Sequence, residues 1–212
     1  VLNKAAIVRE SPVPRGMFGA LPESFTPYSL DIDKAKALLR EAGVTEGYSF
    51  ELLSSNSAPY SDIAQHFQDN LHKAGVEAKI ITLSSGHLFT KVRARNFQAY
   101  IGGYGFNYPD ANNVMLRFGY NPKSSEDNSV SVAWRTGWDP GEWFNTTVMQ
   151  AQTEPDPLKR EQLYHELQRY HMEHAPIIFL FQRLGVSALS RNVESIKANA
   201  ITLSYTSAVK KP

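Results

Sequence analysis

Apolar positions recur at helical spacing three times in the first half of the chain, and a short run of strand character follows each time. Asp31 as an N-cap, the stripe Ala35, Leu38, Leu39 and Ala42, and Gly43 at the left-handed C-terminal position predict a first helix. Residues 48–53 then read as a strand that stops at Ser54, Ser55, Asn56 and Ser57. Tyr60, Ile63, Ala64, Phe67, Leu71 and Ala74 share one face of a second helix over about 59–74, closed by Gly75, and 76–83 is the next strand. Ser84 or Ser85 caps a third helix to about Arg95, before a third strand over 98–102. The order αβαβαβ with short links requires right-handed crossovers, so the fold class is α/β with a mainly parallel sheet flanked by helices. Such sheets bind ligands outside the carboxyl ends of their strands, which is where 54–57 and 104–110 fall.

The flanking regions are less regular. Residues 1–29 are rich in proline and glycine and read as extended packing, with room for a short helix at the very start. After the third strand come a short helix over 111–120, a polar loop over 121–131 and an aromatic, basic stretch over 132–138. Pro140 opens a helix to about Gln152, and Asp156-Pro157 opens a longer one with Leu158, Leu163, Tyr164, Leu167 and Tyr170 spaced as a buried stripe. Residues 176–182 and 185–189 read as a C-terminal hairpin, and 192–212 have little periodicity and call for a partner surface.

Composition removes several function classes. With 22 Lys+Arg against 21 Asp+Glu and no basic block, nothing points to nucleic acid or an anionic membrane. No run approaches the roughly 20 apolar residues of a membrane span. The absence of cysteine excludes a disulfide framework, a thiolate metal site and a cysteine nucleophile, and is compatible with a periplasmic location. Because the chain opens in the middle of a loop, it reads as a piece of something longer.

Chemistry-bearing motifs are mostly incomplete. His165-Glu166 lacks a second ligand, since Arg169 stands four positions on, and His171 and His174 read as surface histidines at a helix C-terminus. Gly102, Gly103 and Gly105 follow a strand, but Tyr108 stands where a dinucleotide loop needs its third glycine, so no cofactor is expected. No serine has nucleophile-elbow spacing, and no catalytic residue or metal site is assigned. The loop holding Tyr104, Phe106, Asn107, Tyr108 and Asp110 combines stacking faces with amide and carboxylate anchors, as the floor of a small-molecule cleft does. Trp134 beside Arg135 reads as a ligand wall in a polar surround, whereas Trp138 and Trp143 read as core.

Several motifs in order carry a family resemblance: Asp33-Lys34-Ala35-Lys36-Ala37-Leu38-Leu39 with Glu41-Ala42-Gly43, Leu71-His72-Lys73-Ala74-Gly75-Val76, and Tyr104 to Asp110. They continue with Asp156-Pro157, Arg160, Leu163-Tyr164, Glu166-Leu167-Gln168 and Ala175-Pro176-Ile177-Ile178. Over roughly 25–190 the chain resembles the C-terminal half of extracellular solute-binding proteins of family 5, the receptors for peptides, nickel and related ligands of bacterial ABC importers. The resemblance implies a periplasmic binding protein type II-like lobe: 1–191 as the C-terminal lobe of a two-lobed receptor, and 192–212 as a segment returning to a missing N-terminal lobe. It further implies a periplasmic, non-enzymatic protein that takes a small-molecule or peptide ligand and hands it to an ABC permease in the inner membrane. The contacts expected first are Tyr104, Asn107 and Tyr108, then Trp134 and Arg135, then Ser55 and Asn56.

The loop departs from the pattern of peptide-binding relatives, which have Trp at the position of Tyr104 and, at that of Asn107, an Asp that anchors the peptide ammonium. An amide accepts a hydrogen bond but pairs no charge, and a lost charge-assisted bond typically costs about 1.5–3 kcal/mol. A neutral polar solute, or a peptide held otherwise, therefore stays open beside a free peptide N-terminus. Two further readings stay open: an enzyme domain pairing Asp110 with a histidine, and a metal or haem receptor using His171 and His174.

Overall fold

The structure is a computed structural model that describes residues 6–9, 11–25, 28–44, 47–126, 128, 131–185, 190–194, 197–198, 203–204 and 209–210. After a short strand β1 (Ala6–Val8), the predicted alternation begins with helix α1 (Ile32–Glu41), whose N-cap Asp31 accepts a hydrogen bond from the Lys34 amide at 2.9 Å. It continues as β2 (Ser49–Ser55), α2 (Tyr60–Lys73), β3 (Glu77–Leu83), α3 (Ser85–Arg93) and β4 (Ala99–Tyr100). Gly43 and Gly75 take the left-handed conformation after their helices, as expected, and Ser84 is the residue that caps α3.

The elements from α1 to β4 belong to one of two compact units, made of Val1–Leu2, Pro27–Tyr104 and Asn128–Val130. Its sheet has the order β3-β2-β4, parallel throughout, with Leu52 opposite Ile80 on one side and Ala99 on the other. Successive side chains of a strand face opposite ways, and β2 uses both faces. Leu52 joins Ala64, Ala78 and Ile101, with Ile63 and Phe67 of α2 against them, while Leu53 packs on Leu88 and Val92 of α3. That is why two leucines stand side by side in β2 where a strand with one buried face would alternate. Two expectations change here. The stripe of α1 is not buried, and the third strand is confined to two residues.

The other unit comprises Asn3–Thr26, Gly105–Asp127 and Ser131–Pro212. Its helices are α4 (Ala111–Phe118), α5 (Val132–Thr136), α6 (Gly141–Thr153) and α7 (Pro157–His174), around a core that includes Val114, Met115, Phe144, Val148, Tyr164 and Leu167. The N-terminal stretch lies against α7 through Gln168, whose Nε2 donates to the Gly19 carbonyl at 2.6 Å and whose Oε1 accepts from the Val13 amide at 3.3 Å. A buried amide satisfied on both ends fixes where an irregular segment sits.

Several expectations are corrected in this unit. Leu158 is 70% exposed, and the inward stripe of α7 is Tyr164, Leu167, Gln168 and His171. Trp143, expected in the core, is 49% exposed, and 132–136 form a helical turn capped by Ser131. Strand β5 (Phe181–Arg183) pairs antiparallel with β1, Ile7 opposite Gln182; the expected second arm of that hairpin, like the expected helix at the very start, falls largely outside the described residues. Antiparallel pairing toward the C-terminus joins β6 (Val193–Glu194) to β9 (Val209–Lys210) and β7 (Lys197–Ala198) to β8 (Leu203–Ser204).

Gly19 is the tightest point of this packing. Its φ is +75°, and a Cβ there would lie 2.8 Å from that of Ala111 and 3.3 Å from the Tyr164 ring. Gly19→Ala is expected to destabilise the chain by about 2 kcal/mol, from backbone strain and overpacking together. A urea melt showing a loss below about 0.5 kcal/mol, the range of ordinary surface changes, would contradict this account.

Candidate functional site

The carboxyl end of β2 is built from serines. Ser54 and Ser55 are buried; Ser54 Oγ donates to the Tyr60 carbonyl at 3.1 Å, and Ser55 Oγ shares hydrogen bonds with Ser57 Oγ at 2.9 Å and Ser85 Oγ at 3.1 Å. Ser55 thus ties the strand end to the start of α3, while the neighbouring Asn56 is exposed. Beyond β4, a Cβ on Gly102 would stand 2.8 Å from the Tyr100 ring and one on Gly103 would run into the Tyr60 hydroxyl, so the two glycines let the backbone pass. Tyr104 bonds Tyr100, hydroxyl to hydroxyl, at 2.6 Å. Ser55, Asn56 and Tyr104 belong to the first unit.

Within the second unit, 105–110 form a loop whose polar groups are sharply divided. Asn107 is exposed, and Tyr108 is 41% exposed with its hydroxyl accepting from Asn112 Nδ2 at 3.3 Å. The Tyr108 carbonyl takes a hydrogen bond from Asn113 Nδ2 at 3.2 Å, which fixes the loop to α4. Phe106 turns inward, its ring edge-on to Phe118 at 6.0 Å. Trp134 and Arg135 are only 9% and 7% exposed, so the polar surround expected for them is in fact the buried base of α5.

Asp110 is fully committed. It caps α4 by accepting from the Asn112 amide at 2.8 Å, and its two oxygens take the Arg160 guanidinium at 2.7 and 3.0 Å. Arg160 also donates Nε to the Ala151 carbonyl at 3.1 Å and lies over the rings of Phe18 and Tyr164 at 4.7 and 5.0 Å. The bond to Asp110 raises the Arg160 pKa further, and burial pushes the Tyr164 hydroxyl up to about 12. A carboxylate held by an arginine fork and a helix cap is a poor general base. The proposed pairing of Asp110 with a histidine has no support in this geometry.

The two histidines proposed to share a metal are separated by burial. His171, expected on the surface, is fully buried with Nε2 donating to the Phe118 carbonyl at 3.2 Å. His174 is exposed, stacks on Tyr170 at 4.0 Å and donates Nδ1 to the Tyr170 carbonyl at 2.9 Å. Among the described residues, no group of three or more metal-ligating side chains comes together. Arg9 is a feature that sequence reasoning passed over: its guanidinium stands 4.6 Å from the Phe179 ring centre and 5.6 Å from that of Phe106. No local signal marks it, because both rings lie far along the chain.

The sequence profile of the bacterial extracellular solute-binding proteins, family 5 middle region, matches residues 1–126. The chain belongs to this family. Among relatives of this family 5 chain, the dipeptide-binding protein of Escherichia coli (strain K12) is 27% identical over 185 residues, covering 85% of this chain and 33% of that protein. The glutathione-binding protein GsiB of Salmonella typhimurium is 26% identical over 180 residues, 82% of this chain and 34% of that protein. The family 5 chain therefore spans about a third of the length of the relatives it matches. The structure of HbpA2 from Haemophilus parasuis superimposes with a TM-score of 0.85 over 100% of this chain and 41% of that one, at 22% identity. The fold is that of a periplasmic binding protein type II-like lobe, as the resemblance implied. Among the described residues, no helix is long and apolar enough to cross a membrane.

Proposed function

We propose that the chain is the binding lobe of a periplasmic receptor for an ABC importer, taking a peptide or another small polar solute and delivering it to an inner-membrane permease without catalysis. In this reading 1–191 form the C-terminal lobe, and 192–212 return to an N-terminal lobe that lies outside the 212 residues. The observation that carries it is the division of labour in the 105–110 loop. Asp110 is engaged by Arg160, and this leaves Asn107 and Tyr108 exposed as an amide and a phenol on a backbone anchored to α4. A rigid frame presenting a few polar anchors beside aromatic surface is the usual make-up of a solute site. Tyr104, Ser55 and Asn56 are candidate contacts on their own unit, whereas Trp134 and Arg135 lie buried beneath the surface. Relatives that bind dipeptides and glutathione support a peptide-like ligand.

The test is a thermal-shift screen of the two-lobed parent protein against dipeptides, oligopeptides, sugars and opine-like compounds. A ligand present at 100 times its Kd stabilises by about 2.7 kcal/mol, a readily measured shift. Asn107→Asp is expected to weaken binding of a solute that uses the Asn107 amide as a donor about ten-fold or more, because a carboxylate at that position can only accept. A parent protein that no member of the panel stabilises would refute the receptor reading. An unchanged ligand ranking in Asn107→Asp would remove Asn107 from the contacts.

A further inference from the structure

The charge around the 105–108 loop runs opposite to what an ammonium ligand needs. The single carboxylate of 105–110 is neutralised by Arg160. Two other guanidinium groups border the loop: Arg9 against the Phe106 ring at 5.6 Å, and Arg117, whose Nη1 donates to the Gly105 carbonyl at 3.4 Å. Arg9 is held in place from several sides. Its amide donates to the Leu180 carbonyl at 3.2 Å, its Nε donates to the Ser11 carbonyl at 2.8 Å, and Phe179 lies beneath its plane at 4.6 Å. Among the described residues no carboxylate forms an ion pair with it, and its Nη2 is buried without a hydrogen-bond partner. Burial lowers the Arg9 pKa to about 9. An arginine held this way against two rings, with an unpartnered Nη2 and no counter-charge among the described residues, is an incomplete ion pair, and a largely buried cation is costly until an anion meets it.

We propose that the 105–108 loop receives the anionic end of the ligand, a carboxylate, with Arg9 as its anchor and Arg117 and the Asn107 amide as supporting donors. The proposal rests on the receptor reading above and narrows it to solutes that carry an acid group. Arginine suits the task because its planar fork matches a carboxylate and because stacking on Phe106 and Phe179 holds that fork still. Asn107 fits the same logic. An aspartate at that position would repel the incoming acid, whereas an amide can donate to it.

The experiment measures affinities of the two-lobed parent for matched pairs that differ only in the acid: N-acetyl-alanyl-alanine against its C-terminal amide, and each further acid of the screen against its amide. The acid of a pair that binds is expected to bind at least ten-fold more tightly than the amide, the difference a charge-assisted bond supplies. Arg9→Gln should abolish that difference, and Arg9→Lys should restore part of it. Pairs that bind with the amide equal to or better than the acid overturn this proposal and leave the receptor reading standing; a panel in which nothing binds overturns both. The wild-type ratio decides the matter even if Arg9→Gln fails to fold. An unchanged ratio in a folded Arg9→Gln overturns Arg9 as the anchor.

Discussion

Asp110→Ala is expected to destabilise the chain by about 3–4 kcal/mol, the largest effect of any single substitution considered for the second unit. Two losses combine. The helix α4 loses its N-cap, worth about 1 kcal/mol, and the Arg160 guanidinium loses both carboxylate oxygens. The Arg160 and Asp110 side chains are 20% and 24% exposed, so water replaces the missing partner poorly and the ion pair lies nearer the buried than the surface limit. For a chain of this size the change should appear as a fall in Tm of about 6–16 °C. Asp110→Asn separates the contributions. Asparagine caps as well as aspartate, so this variant should lose only the charge pairing and fall between wild type and alanine. If Asp110→Ala melts within about 2 °C of wild type, the pair contributes no more than an exposed ion pair would.

The same pair marks a boundary of what the sequence made legible. The elements that could be read were those whose cause is local. Asp31, Ser84 and Asp156 stand at their N-caps, Gly43 and Gly75 follow their helices, and the Leu52-Leu53 step shows a strand with two apolar faces. Helix α5 escaped because five residues are too few to display a helical period. On α7 the spacing favoured Leu158, but the position buried instead is Gln168, whose amide is satisfied by Val13 and Gly19 at the other end of the chain. No periodicity can show that a polar side chain has such a partner. Trp143 and Trp134 exchanged their expected places for a related reason: the sequence shows what lies beside a residue and not what folds over it.

The candidate loop was legible as chemistry but not as charge. Glycines after a strand and a run of Tyr, Phe and Asn were visible, and so was the absence of an aspartate at Asn107. The electrostatics of the loop depend on Arg160, fifty positions beyond Asp110, and on Arg9, far earlier in the chain. Tertiary contact assigned Asp110 to structure and placed Arg9 against Phe106.

Acidification is expected to expose a second weakness, at His171. The imidazole is fully buried, with Phe118 accepting from its Nε2, Trp138 edge-on at 5.2 Å and Phe179 at 5.6 Å. Burial, reinforced by the positive charges of Arg9 and His174 and opposed by the Phe118 carbonyl, lowers its pKa from the ordinary 6.5 to about 4. Above about pH 6.5 the residue is neutral in folded and unfolded chain alike, so its contribution to stability is complete there. Below that pH the unfolded chain binds a proton that the folded chain resists until about pH 4, and each pH step between those limits removes about 1.4 kcal/mol. The loss over the window is on the order of 3 kcal/mol. His171→Gln can keep a donor for the Phe118 carbonyl and has nothing to titrate, so its stability relative to wild type should rise steadily from pH 6.5 to pH 4. Carboxylates that protonate in the same range act on both proteins and cancel in the comparison. Parallel stability profiles for the two, or an NMR titration placing the folded His171 near 6.5, would show that the ring takes up its proton without cost and that the core around Phe118 is open to water.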